Sequence, residues 1–196
     1  MGDTTHLLVL DFESTDTDPD TCRVLEVGAI LTTFPDLDTV STFTTLIDPV
    51  DDAALTAAKA DPVVGPMHRT NGLFEALAAG SARSLLETGD ALIAMLDAHG
   101  ITPGEVALAG SGVGHFDLQV IRRRMPRLHT YLAYWTMDAG VLRRAHIAWG
   151  PTGKPLVDNG KPKAHRALDD AHAHLAELRA HRALLRGLDT SHAPTL

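Results

Sequence analysis

The stretch HLLVLDFES, residues 6–14, constrains the chain more than any other. An apolar run that closes on alternating acids reads as a buried strand over His6 to Phe12. Val24 to Phe34 and Val40 to Ile47 are rich in β-branched residues and separated by Pro35 and acidic turn residues, so they read as the next two strands. Ser84 to His99 carries apolar residues at helical spacing and stops at Gly100. Val106 to Ala109 reads as a short buried strand ending in the loop Gly110-Ser111-Gly112-Val113-Gly114. A helix from Phe116 to Arg124 follows, halted by Pro126. Further helices are expected over Asp138 to Trp149 and Ala167 to Arg186, joined by the polar stretch GPTGKPLVDNGKPK, read as a mobile loop. Strands followed by alternating helix and strand predict an α/β sheet covered by helices. With no repeat and no long linker, residues 1–188 are expected to form one domain and 189–196 a frayed tail.

Composition narrows the function. No apolar run approaches the ~18 residues of a membrane span, and MGDTTHLLVLDFES lacks the basic flank of a signal peptide. No membrane association and a cytoplasmic location are therefore expected. Cys22 is the only cysteine, so no intrachain disulfide is available. A net charge of −8 argues against a protein that coats nucleic acid by bulk electrostatics. It does not exclude an enzyme whose polyanionic substrate is met locally by cations.

The candidate chemistry lies in acids that the chain scatters widely. Asp11 and Glu13 sit two apart at the end of the first strand, so they share one face while Phe12 packs on the other. Two strand rises put them ~7 Å apart, which suits carboxylates flanking metal ions ~3.5–4 Å from each other. Hard divalent cations prefer such oxygen ligands. Solvated turn acids would look the same. Asp117 follows the glycine-rich loop at the carboxyl end of a buried strand, where open α/β sheets place their ligands; a lone Asp there also serves as a cap or dipole partner. In KAHRALDDAHAHLAEL, His165 and Asp170 are five apart, ~140° around a continuous helix. They converge only if His165 lies on the loop before the helix and Asp170 on its first turns. A loop histidine with an ordinary pKa of ~6.5 can then deprotonate a water beside a metal site.

Together, Asp11-x-Glu13, Asp117 and His165-x-Ala167-x-x-Asp170 resemble the DEDDh 3′–5′ exonucleases, and within them the oligoribonucleases. LLVLDFESTDTDP, MHRTNGL, MPRLHTYLAYWTMDAGVLR and AHRALDDAHAHLAEL follow the oligoribonuclease order across nearly the whole chain. The resemblance implies a ribonuclease H-like mixed five-stranded sheet flanked by helices. It further implies that Asp11, Glu13, Asp117 and Asp170 hold two divalent cations, Mg²⁺ or Mn²⁺, that His165 is the general base, and that Asp169 is a bystander. Phe12, Thr15, His68, Asn71 and Tyr134 would lie near a single-stranded RNA or DNA oligonucleotide, with Tyr134 reaching across a homodimer.

The chain departs from the oligoribonuclease pattern at three places. Asp16-Thr17 replaces Gly-Leu, Val63 replaces a tryptophan, and Trp135 replaces a phosphate-holding arginine. Base stacking on an apolar platform is worth ~1–3 kcal/mol, so these changes should loosen any preference for dinucleotides. SGVGHFDLQVI also resembles proofreading-type enzymes, which keeps a DNA exonuclease open beside a noncatalytic nucleic-acid binder of the same fold. Arg122, Arg123 and Arg124 are expected on a solvated helix face, with phosphate guidance as the alternative. Met67 and Leu73 are taken as core. A transition-metal cluster of His165, His172 and His174 is disfavoured because residues two apart on a helix point apart; surface or partly packed positions suit the last two.

Overall fold

The computed structural model describes residues 4–80, 82–157 and 165–187. Its centre is a mixed five-stranded sheet in the order β3-β2-β1-β4-β5. The strands are β1 (His6–Ser14), β2 (Val24–Thr33), β3 (Thr39–Leu46), β4 (Val106–Gly110) and β5 (Leu132–Asp138). β1 pairs antiparallel with β2 and β2 with β3, whereas β4 runs parallel to both β1 and β5. The helices are α1 (Asp52–Ala60), α2 (Val64–Thr70), α3 (Leu73–Ala78), α4 (Leu85–Ala98), α5 (Asp117–Arg124), α6 (Pro126–Tyr131), α7 (Ala139–Trp149) and α8 (Ala167–Gly187).

Side-chain alternation along β1 divides the core. Leu8, Leu10 and Phe12 pack with Leu92, Leu96, Val120 and Ile121 of α4 and α5 on one face. Leu7 and Val9 pack with Ala171, Leu175 and Leu178 of α8 on the other. The almost continuously buried β1 and β2 thus lie centrally under two helical layers, while β3, with its run of Thr and Ser, is an edge. α4 begins as its sequence predicts. The Ser84 hydroxyl accepts from the Glu87 N–H at 3.2 Å and Glu87 accepts from the Ser84 N–H at 2.9 Å, a reciprocal cap of a type worth ~1 kcal/mol.

Three expectations are corrected or extended. Pro126 does not merely halt α5; it opens α6, because a proline fits the first helical position, where no N–H is needed. β5 lies inside a block that shows no strand signal, since an outer strand has one partner and a mixed burial pattern. α1 to α3 had no periodic signal in the sequence; Leu55 of α1 and Leu73, Phe74 and Leu77 of α3 pack with Leu25 of β2 and Leu46 of β3. The expected loop over residues 150–163 lies partly, and the tail 189–196 wholly, outside the described residues.

Candidate active site

At the carboxyl ends of β1 and β4 the sheet opens into a cleft of about 420 Å³. Asp11 and Glu13 form its floor, Ser111, Gly112, His115, Phe116 and Asp117 one wall, and His165 and Asp170 another. Asp16 and Thr17 form a rim opposite Val64 and Met67 of α2. All five residues expected to act together are therefore brought together, from three separate segments at residues 11–13, 117 and 165–170.

Register explains the convergence. Asp11 pairs with Gly28 and Glu13 with Glu26 across the β1–β2 ladder, so all four point to the face that α8 covers. A Cβ at Gly28 would sit 2.2 Å from the Ala167 carbonyl carbon; only glycine lets the start of α8 lie directly on the strand. Asp170, in the first turn of α8, is thereby set against the acids of β1. His165 lies before the helix, as the spacing required. Asp170 is buried while Asp169 faces solvent.

Carboxylate and imidazole atoms of Glu13, His165 and Asp170 lie within 4.8 Å of one another. Asp117 is 4% exposed and its Oδ1 has no hydrogen-bond partner. Burial pushes its carboxyl up to about 7, against the stabilising N–H groups of its own residue and Phe12, with the Asp138 charge adding to the rise. Buried, crowded carboxylates with an unpartnered oxygen form a donor set that a divalent cation would satisfy. Asp138 accepts from Gly112 N–H and Val141 N–H at 3.1 Å, capping α7 while pinning the loop that leads to Asp117.

The expected nucleotide-contact residues divide. Phe12 lines the cleft although it is largely core. Thr15 is 8% exposed, and its hydroxyl accepts from the Arg23 N–H at 2.8 Å. His68 is fully buried, with Nε2 3.3 Å from the Ser14 carbonyl, and burial lowers its pKa. Asn71 donates to the His165 carbonyl and accepts from the Leu73 N–H. His68 and Asn71 thus sit behind the cleft and line none of it, with His68 Nε2 also 3.9 Å from Glu13 Oε2 and its Nδ1 3.5 Å from the Asn71 amide. Tyr134 is 85% exposed on the outer strand β5, away from the cleft of its own chain. Trp135 packs on Phe34 at 5.7 Å between ring centroids, which leaves it no access to a phosphate in this cleft.

Other corrections concern charge and packing. Arg122 is solvated, but Arg123 pairs with Asp20 at 2.8 Å and Arg124 donates to the carbonyls of Pro19, Asp20 and Cys22 at 3.3, 3.0 and 2.5 Å. The last two arginines therefore staple the β1–β2 loop, and with it the cleft rim, to α5. Met67 is a cleft residue rather than core. His174 is 3% exposed, with Nδ1 3.9 Å from Asp11 Oδ1, while His172 is exposed on the opposite face. Sequence reasoning missed Glu26 and Arg166, which form a fork of 2.6–3.1 Å contacts just after His165. The available signal was a lone acid inside the apolar run VLEVGAIL.

The chain matches the RNase T exonuclease family over residues 8–178. It is 31% identical over 149 residues to an oligoribonuclease of Thiobacillus denitrificans, covering 75% of this chain and 78% of that protein. An oligoribonuclease of Streptomyces avermitilis is 31% identical over 146 residues, covering 74% and 70%. Among solved structures, E. coli Exonuclease I in complex with a dT13 oligonucleotide superposes with a TM-score of 0.61 at 18% identity, covering 93% of this chain. The chain spans 43% of the length of that Exonuclease I, and the likeness is one of fold.

Proposed function

The chain belongs to the RNase T family of exonucleases and is a 3′–5′ exonuclease, and from that premise we propose that it trims short single-stranded oligonucleotides from the 3′ end, releasing nucleoside 5′-monophosphates. The observation that carries this reading is the gathering of Asp11, Glu13, Asp117, His165 and Asp170 at one cleft. Asp11, Glu13, Asp117 and Asp170 would hold two divalent cations, Mg²⁺ or Mn²⁺. When bound, such ions make a water more acidic and neutralise charge on the phosphate. An imidazole nitrogen of His165 takes the proton of the attacking water, whose oxygen bonds to phosphorus as the 3′ oxygen of the preceding nucleotide leaves.

The rim bears on substrate choice. Val64, Met67 and Thr17 give the rim no aromatic ring, the rings of the cleft (Phe12, His115 and Phe116) lying in its floor and wall, which supports acceptance of varied bases and lengths over selection of dinucleotides. The resemblance of SGVGHFDLQVI to proofreading enzymes favours DNA as a second substrate. Tyr134, exposed on an outer strand, supports a homodimer in which it meets the partner's substrate. A free buried Cys22 fits a reducing cytoplasmic setting, and no helix among the described residues is long and apolar enough to cross a membrane.

The test is kcat/KM for 5′-labelled RNA and DNA of two to twenty-five nucleotides with Mn²⁺ or Mg²⁺. Comparable values across lengths are expected. A steep optimum at the dinucleotide would show that the missing platform is supplied elsewhere, and cutting of neither polymer would remove the proposal.

A further inference from the structure

His165 is the residue of the cleft whose own backbone conformation is uncommon. Its φ is +49°, in the left-handed region that residues other than glycine seldom occupy, although histidine enters it more often than most. Such a conformation persists only where surrounding contacts over-determine it. Two sets of contacts do so. On one side, the side-chain amide of Asn71 donates to the His165 carbonyl. Asn71 is itself fixed: its Oδ1 accepts from the Leu73 N–H at 3.0 Å, and its Nδ2 lies 3.5 Å from His68 Nδ1. His68, fully buried, reaches on to the Ser14 carbonyl at the end of β1 and comes within 3.9 Å of Glu13 Oε2, a path that the His165→Ala background below separates from the one through His165.

On the other side, Glu26 holds the two residues that follow. Its carboxylate accepts from Arg166 Nε at 2.9 Å, from Arg166 Nη2 at 2.6 Å and from the Ala167 N–H at 3.0 Å. Glu26 is 3% exposed and lies opposite Glu13 in the ladder. A guanidinium–carboxylate fork fixes direction as well as distance. The backbone is thus gripped at residue 165 by α2 and at residues 166 and 167 by β2.

We propose that Asn71 and Glu26 are positioning residues that jointly hold His165 in its left-handed conformation, so that its imidazole faces Glu13 and Asp170. Neither touches the reacting atoms. Their effect on turnover passes through one side chain, and the inference rests on the exonuclease reading above.

A double-mutant cycle in the full-length chain tests it. Asn71→Ala and Glu26→Gln are made singly and each in a His165→Ala background, and kcat and KM are measured on one oligonucleotide with saturating Mn²⁺. If the two residues act by aiming His165, each single variant loses kcat, on the order of 100-fold for Asn71→Ala, with KM unchanged. In the His165→Ala background neither substitution lowers kcat further, because the group they position is gone. Independent losses that multiply in the double variants would overturn the proposal. So would wild-type kcat in both single variants. Melting curves accompany every variant, and Glu26→Gln, which keeps an acceptor for the Ala167 N–H, carries the test if Asn71→Ala does not fold. Failure of the exonuclease reading looks different: the wild-type chain would then shorten no oligonucleotide, whereas full activity in His165→Ala would remove His165 as the base and with it the positioning proposal.

Discussion

Two concavities on the α8 face of the sheet differ in the chemistry they gather. One, of about 270 Å³, is lined by Leu7, Phe34, Leu37, Met137, Leu142 and Leu178, with arginines at its rim. The other is the acidic cleft, floored by Asp11 and Glu13 on the same strand. Leu7 and Asp11 share a face of β1, and Leu178 and Asp170 share α8, so the same two elements build both. The first cavity is mainly aliphatic and carries no carboxylate in its lining. The cleft concentrates a buried acid with an unpartnered oxygen, a residue of positive φ and a glycine under a helix start. Costs of that kind persist at functional sites. The apolar cavity shares some of these costs, with Leu37 at φ +60° and unpartnered buried nitrogens on His181 and Arg182, so what sets the cleft apart is the gathering of carboxylates around an imidazole.

Substitutions should separate the two regions. Asp170→Asn is expected to lower kcat by roughly 10³-fold, by removing a carboxylate from a site that depends on charge, while leaving the metal-free melting temperature unchanged or higher. Equal losses of stability and activity would erase the distinction. Leu178→Ala, on the same helix, should do the reverse. It costs about 2–5 kcal/mol in urea unfolding with kcat nearly unaltered. Gly28→Ala connects the regions: the added methyl must push the start of α8 off β2. An expected cost of about 1–3 kcal/mol comes with a clear loss of kcat, and retention of full activity would show that the acids tolerate a shifted helix.

The gentlest probe is pH. Asp117 titrates at about 7 in the folded chain against an ordinary 3.8. The folded state therefore binds its proton more tightly than the unfolded state does. This contribution to stability is complete below about pH 3.8 and is lost as pH rises through 7. Metal-free protein should show that loss in urea melts, Asp117→Asn should not, and saturating Mn²⁺ should offset it. A wild-type profile identical to that of Asp117→Asn would mean that burial does not govern this group.

Legibility in the sequence followed how local each signal was. Asp11, Glu13, Asp117, His165 and Asp170 could be read because alternation on a strand, a glycine-rich turn and a loop-to-helix spacing are short-range patterns. β1 to β4, α4, α5, α7 and α8 were readable on the same grounds. Glu26, Gly28 and Arg166 escaped because their roles arise from a register that no local window contains, Glu26 opposite Glu13 and Gly28 under Ala167. His174 escaped for a related reason. Its face of α8 is set by where the helix docks, and docking turns it toward Asp11. Asn71 and His68 were recognisable as important residues, but only the fold shows that their polar groups face the backbone behind the cleft.

The most direct test of the cleft as a hydrolytic site follows a 5′-labelled oligonucleotide through time with Mn²⁺ or with EDTA. Wild type, Asp11→Ala and His165→Ala are compared. Stepwise shortening from the 3′ end is predicted for wild type with metal, with nucleoside 5′-monophosphates as products and the ladder lost in EDTA and in both variants. Shortening that persists in EDTA, or in Asp11→Ala at the wild-type rate, would contradict the account.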